Sequence, residues 1–415
     1  MTAHLTKPAK DRAMIFVLIT VFLDMVGFGI IIPVLPALVG SFSSNPTDQV
    51  YWYGVLAVAF GVANFLAAPV LGALSDRFGR RPVLLLGFMG LGLSFFGIAV
   101  STTLWGLIVV RTVGGAMQAN AAIANAYVAD ISAPEQRAKR FGLLGAMMGL
   151  GFIVGPVLGG LLGAVNLHLP FYVAGGLTLL NGLYGYFVLP ESLPVSQRKP
   201  FSWRSANPAS SLQKLAQLKG VGPLVGVVAF SGLSQFVLYT VWVLYNNFKF
   251  GWGPEENGWS LAVVGIVAVL VQGVLMGRLL KLFPVQKLVI MGLVSSALAY
   301  TLWGAATEGW MMYAVIALNL LGGTVAASVQ SLISSAADSK SQGQTMGAVS
   351  ALTSLTAVVA PMLGAPLLAV VSHLPQGDWR IGAPFYFCAV LQLAALALAV
   401  LHLRRHRRRQ LHTMG

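Results

Sequence analysis

Two ionisable side chains, Asp24 and Arg111, interrupt long apolar stretches of a chain that is otherwise sparing with charge. A charge placed in hydrocarbon costs about 2.5–3.5 kcal/mol on insertion scales, so such a residue is a functional candidate by default. Asp24 stands about ten residues into the first apolar run, about 15 Å deep at 1.5 Å per residue, close to the midplane of a core about 30 Å thick. Arg111 stands a similar distance into the fourth run, entered from the opposite face. A carboxyl there responds to desolvation and to a neighbouring cation. The two could face one cavity as a protonation site that follows whichever face is open; a salt bridge inside the amino-terminal half is the structural alternative.

Uncharged polar residues in the apolar runs form a second set: Gln118, Asn120 and Asn125 in run 4, Gln235 and Tyr239 in run 7, Asn319 and Gln330 in run 10. Each is a candidate contact for a small molecule, although such side chains also join packed helices for about 1 kcal/mol or less. A third set lies in the short joint 72–82, which carries Gly72, Asp76, Arg77, Gly79, Arg80, Arg81 and Pro82. Gly72 and Gly79 permit a tight turn and close helix approach, Asp76 can sit at a helix amino terminus, and the three arginines hold the joint on the cytoplasmic face. No phosphate-cradling Gly-x-x-x-x-Gly-Lys-Ser/Thr loop and no His-Glu-x-x-His or Gly-x-Ser-x-Gly pattern occurs. The histidines all fall in joints, helix ends or tails, and Cys388 is alone. These observations argue against an enzyme, a metal site, an internal disulfide and a nucleotide-driven pump.

The elements that position these residues are membrane spans. Of 415 residues 57% are hydrophobic and 9% charged, against about 25% charged in soluble proteins. Apolar runs fall at about 14–40, 52–75, 82–101, 103–130, 138–165 and 169–189, then at about 221–248, 257–280, 286–306, 309–335, 343–372 and 381–403. The first run is too long for a signal-peptide core and reads as a retained span. Between the two sets lies a polar linker, 191–220, dividing an amino-terminal bundle, 1–190, from a carboxy-terminal bundle with a basic tail, 221–415. With twelve spans and both termini inside, 23 of the 26 lysines and arginines are cytoplasmic, as the positive-inside rule requires. Lys249 and Arg380 fall in outside loops and Arg111 within a span. The net charge of +14 therefore reports topology rather than nucleic-acid binding. The tail from Arg404 to Arg409 fixes the last span or meets anionic lipid heads.

The halves echo one another. Val154 to Val165 in span 5 matches Val359 to Val370 in span 11 at 7 of 12 positions, and Pro170-Phe171-Tyr172 echoes Pro384-Phe385-Tyr386. Parallel six-helix repeats are a common plan of secondary transporters. The expected fold is all-α, twelve transmembrane helices in two pseudo-symmetric six-helix bundles.

The joint 72–82 resembles the signature loop of the major facilitator superfamily. Three further stretches narrow the resemblance: Leu23-Asp24 through Gly27, Gly29, Pro33 and Pro36; Arg111 with Gly114 and Gly115; and Gly151, Gly155, Pro156, Gly159 and Gly160 in span 5, similar to the motif associated with antiporters. Together they resemble the twelve-helix drug:proton antiporter branch, most of all its tetracycline-efflux subgroup, to which Val241-Trp242 and Phe250-Gly251-Trp252 are also similar. The resemblance implies alternating access, a cavity lined by spans 1, 4, 7 and 10, and Arg111 in proton coupling. It also implies a gating loop in which Asp76 and Arg80 engage neighbouring helix ends, with Asp130 in a matching place. Three positions depart from the tetracycline pumps. Ala268 stands for a histidine in span 8, and Ser296 and Ser94 for carboxylates in spans 9 and 3. Proton coupling would then rest on Asp24 and Arg111.

The expected function is proton-coupled efflux of tetracycline or a similar lipophilic drug across a bacterial inner membrane. A metabolite transporter of the same fold, for a sugar or organic acid, is the alternative. The expected partners are a small-molecule drug, protons and membrane lipids, with no cofactor or metal, the proton gradient as energy source, and the monomer as working unit.

Overall fold

A computed structural model describes residues 7–118, 120–202, 222–336 and 342–414. Helices dominate the described residues, and none of them forms a strand. Helix α1 (Lys7–Ile31) and short α2 (Leu35–Gly40) form the first span; α3 (Pro46–Phe78) and α4 (Arg80–Val100) follow. The fourth span is two pieces, α5 (Leu104–Met117) and α6 (Asn120–Ile131). Then come α7 (Pro134–Val165) and α8 (Leu169–Val188). In the second half α9 (Gly222–Phe250) leads to α10 (Pro254–Leu270), which runs through a π-helical turn (Val271–Leu275) into α11 (Met276–Leu282). After α12 (Val285–Ala305), the tenth span is again two pieces, α13 (Gly309–Leu318) and α14 (Val325–Ala336), followed by α15 (Gln342–Val371) and α16 (Ala383–Met414).

Ten of these helices are long and apolar enough to cross a membrane, and the bent pair of α13 and the following segment makes an eleventh. The remaining expected span is α8, 20 residues long. It carries no charge, buries Thr178 and Asn181, and packs on α4 and α1. The protein is a multi-pass membrane protein.

The long helices persist because every backbone group in hydrocarbon must be satisfied within its own segment. At the breaks in the fourth and tenth spans a neighbouring helix hydrogen-bonds to the residue that leaves the helix. At the end of α5, Gln118 leaves the helix (φ −82°, ψ 42°), and its carbonyl accepts a hydrogen bond from Asn64 Nδ2 of α3 at 3.1 Å. At the end of α13, Asn319 does the same (φ −86°, ψ 31°), the span bends by 52°, and Ser295 Oγ donates to Asn319 Oδ1 at 2.9 Å. Neither break was foreseen in the apolar pattern, which runs on through both.

The chain forms two compact units. The first comprises 1–45, 55–208 and 252–265. Its core packs α1 on α7 and α8, and α4 on α8 and α5, with Phe16, Leu84, Phe88, Tyr127 and Val128 fully buried. The second comprises 46–54, 209–251 and 266–415. It packs α9 on α16 and α15, and α12 on α16. One end of its core is aromatic: Tyr245 lies edge-on to Phe385 at 4.4 Å between centroids, and Trp242 edge-on to Trp303 at 5.3 Å. Lys249 sits beside this cluster in the last turn of α9, buried, its Nζ donating to the carbonyl of Gly304 at 3.1 Å. The outside loop expected there is instead helix, and the cation satisfies the carboxy-terminal end of α12. Of the other expected charges, Arg204, Lys214, Lys219 and Lys340 lie outside the described residues, as do the side chains from 405 onward.

Candidate functional site

The joint between α3 and α4 is one residue long. Gly79 adopts φ +108°, in the region that favours glycine, and α4 begins at once with Arg80. No side chain of the joint caps α4. The cap comes from 111 residues away in sequence: Glu191 accepts hydrogen bonds from the backbone N–H of Arg80 at 2.9 Å and of Arg81 at 3.2 Å, and from that of Leu193 at 3.0 Å. A carboxylate at this position meets two orphan donors and the positive end of the helix dipole.

Arg80 is the hub of the joint. Its Nη1 pairs with Asp76 Oδ1 at 2.6 Å and donates to Ser75 Oγ at 2.7 Å, and its Nε reaches Asp130 Oδ2 at 3.2 Å, at the end of α6. Asp130 also accepts from Ser192 Oγ at 3.1 Å. Arg81 donates to the carbonyl of Tyr186 and covers that ring, and Arg77 lies over Phe78. The segment after α8 closes the arrangement: Tyr127 donates to the carbonyl of Pro190 at 2.8 Å, and the N–H of Lys199 to the carbonyl of Asp76 at 3.1 Å. The joint thus brings together Asp76, Arg80 and Asp130, with Glu191 and Ser192 as partners that no local pattern announces. Gly72 plays no part in close packing, since a Cβ built there meets nothing within 4 Å.

The glycines of α7 have a definite task. A Cβ on Gly151 would come within 2.8 Å of the Phe22 carbonyl oxygen, and one on Gly155 within 2.7 Å of that of Val26. One on Gly159 would collide with the Ile30 carbonyl. These three glycines therefore let α7 lie backbone against backbone on α1, and Pro156 packs on Gly29 of α1. Gly160 faces another way, toward Pro254, Glu255 and Gly258 at the start of α10.

Asp24, opposite that face of α1, is 6% exposed. Its partner is Asn120 rather than Arg111: Asn120 Nδ2 donates to Asp24 Oδ1 at 3.4 Å. Arg111 instead stacks on Phe60 of α3, with its guanidinium 4.1 Å from the ring centroid, a cation–π contact. Gly115 permits that approach by lying against the Phe60 backbone, while Gly114 lets Ser94 of α4 come close. Ser94 Oγ in turn donates to the Val110 carbonyl at 2.9 Å.

The polar candidates scatter in role. Gln118 lends its carbonyl to Asn64, Asn120 reads Asp24, and Asn319 is tied to Ser295. Asn125 and Gln330 lie exposed on α6 and α14, and Tyr239 is exposed on α9 next to the half-buried Gln235. Among the described residues no three His, Cys, Asp or Glu side chains gather as metal ligands.

A bundle of long apolar helices with an ion-paired joint between α3 and α4, a glycine-paved α1–α7 contact and a buried mid-span carboxyl defines a class of membrane transporter. The chain belongs to the Major Facilitator Superfamily, which residues 17–227 and 224–413 both match. It is 39% identical to the class C tetracycline resistance protein of Escherichia coli over 91% of this chain and 95% of that protein. It is 34% identical to the class D tetracycline resistance protein of Salmonella ordonez over 91% and 95%. Its fold is that of a crystal structure of a bacterial homolog of the human lysosomal transporter Spinster, with a TM-score of 0.76 at 14% identity, covering 96% of this chain and 98% of that one.

Proposed function

We propose that this protein exports tetracycline or a similar lipophilic drug in exchange for protons by alternating access. The observation that carries the proposal is the end-to-end match to tetracycline resistance proteins, 39% identical over 91% of the chain. The buried Asp24 supports proton coupling, because a mid-span carboxyl is retained at a cost only where it is used. The neutral candidates Gln235, Tyr239, Asn319 and Gln330 suit a lipophilic substrate better than an organic anion, which calls for a cation. Uncharged residues at Ala268 and Ser296 leave Asp24, with Arg111, to bear the coupling.

In this reading the protein works in a bacterial inner membrane with both termini cytoplasmic, as the distribution of lysine and arginine favours. It acts as a monomer with protons, drug and lipid as its partners, driven by the proton gradient, and has no catalytic step, cofactor or metal of its own. The joint from Asp76 to Arg81, with Asp130, is a latch whose ion pairs make and break as the cytoplasmic side closes and opens. Expression in an efflux-deficient bacterium should raise resistance to tetracycline or to another lipophilic drug. A broad drug panel with no change in any inhibitory concentration would overturn the proposal.

A further inference from the structure

Asn120 is the first residue of α6, directly after the break in the fourth span. It is 2% exposed and wedged between two helices. On one side its Nδ2 donates to Asp24 Oδ1 of α1. On the other its Oδ1 is pressed against Gly87 of α4, where even a Cβ would collide with it. That Oδ1 is buried with no hydrogen-bond partner, which is costly for an amide acceptor.

An amide carries both a donor and an acceptor, and a carboxyl changes from acceptor alone to donor plus acceptor when it gains a proton. We propose that Asn120 is the positioning residue that reads the protonation state of Asp24. Its N–H₂ holds the carboxylate, and after a proton from solvent binds Asp24, the new O–H donates to the amide oxygen, which is unsatisfied while Asp24 is ionised. A half-turn of the amide about its Cβ–Cγ bond exchanges the two arrangements, and the 3.4 Å contact is loose enough to allow it. The exchange would carry the protonation state of α1 to the start of α6, at the point where the fourth span is discontinuous. This inference rests on the reading of Asp24 as the coupling carboxyl.

Competing partners are few. The helices packed against α1 are α7, α8 and α6. Their ionisable groups are Glu135, Arg137, Lys139 and Arg140 in the opening turns of α7, Tyr172, Tyr184 and Tyr186 on α8, and Tyr127 and Asp130 in the second half of α6. Among the described residues none of these, nor Arg111 of α5, hydrogen-bonds or ion-pairs with Asp24, whose partner is Asn120.

The test is an infrared pH titration of the purified full chain in lipid nanodiscs without substrate. The carbonyl band of protonated Asp24 is identified by its loss in Asp24→Asn. In Asn120→Ala the band should change frequency, and its midpoint should move by on the order of one pH unit, the scale of a hydrogen bond to a charged group. Asn120→Thr, which keeps a donor and an acceptor on one atom, should return both toward the original values. Gly87→Ala, which crowds the amide oxygen without altering either partner, should perturb the same band and serves if Asn120→Ala does not accumulate. An Asp24 band unmoved in frequency and midpoint by these substitutions overturns the role of Asn120 and leaves that of Asp24 standing. A titration with no Asp24-dependent band overturns both.

Discussion

Replacing Glu191 with glutamine should loosen the first turn of α4 while leaving the helices on either side intact. The Glu191 carboxylate accepts the N–H groups of Arg80 and Arg81 at 2.9 and 3.2 Å, and α4 has no side-chain cap of its own. Net hydrogen bonds to a charged group are worth about 1.5–3 kcal/mol, and a carboxylate at a helix amino terminus about 0.3–1 kcal/mol. Glu191 is only half-buried, so solvent screens part of this, and the glutamine retains one neutral acceptor. A loss of about 1–2 kcal/mol remains, or about 5- to 30-fold in the opening equilibrium of the turn, at 1.4 kcal/mol per factor of ten. Hydrogen exchange followed by mass spectrometry over residues 79–83 should show the Arg80 and Arg81 amides exchanging faster by that factor, with α8 unchanged. Glu191→Ala should exceed it. Exchange at the native rate in both variants would show that Glu191 does not hold the joint.

Other substitutions separate the glycines and the outer ion pair. Gly159→Val forces a side chain into the Ile30 carbonyl and should destabilise the protein by about 1–3 kcal/mol, read as a lower melting temperature in detergent. Gly72→Ala, facing open space within α3, should melt at or slightly above the native temperature, since alanine is favoured over glycine in helices by up to about 1 kcal/mol. The Asp378 carboxyl is held down to about 2, chiefly by hydrogen bonds from Arg380. Because that value lies below the ordinary one, any stabilisation from the pair is present above about pH 4 and is lost as pH falls toward 2. Arg380→Ala should therefore raise the Asp378 midpoint in an infrared titration only part of the way toward the usual carboxylate range, because the backbone N–H of residue 380 still donates to it, and leave transport unaltered above about pH 5.

The spans were legible because hydrocarbon imposes a length and an apolarity that few other constraints imitate. The joint was legible in part: Asp76 and Arg80 are four residues apart on adjoining helix ends and do pair. Glu191 was not, because nothing local marks a residue that caps a helix 111 positions upstream. The breaks at Gln118 and Asn319 escaped because apolar residues continue on both sides of each. The adjacent glycines Gly114-Gly115 and Gly322-Gly323 were the available signal. Depth alone paired Asp24 with Arg111, yet rotation about the helix axis decides which side chains meet, and it turns Asp24 to Asn120 and Arg111 to Phe60. Lys249 seemed external because its charge outweighed its apolar neighbours, whereas its ammonium finds the end of α12 and its stem packs with the aromatic cluster.

Proton-coupled drug efflux is tested most directly in proteoliposomes holding the purified protein, with an imposed pH gradient and labelled tetracycline as the probe. Transport should follow the gradient, reverse with it and vanish in Asp24→Asn, while that variant remains folded in the membrane and still binds tetracycline. Gradient-driven transport of equal rate in Asp24→Asn, or accumulation indifferent to the gradient in the native protein, would contradict the assignment.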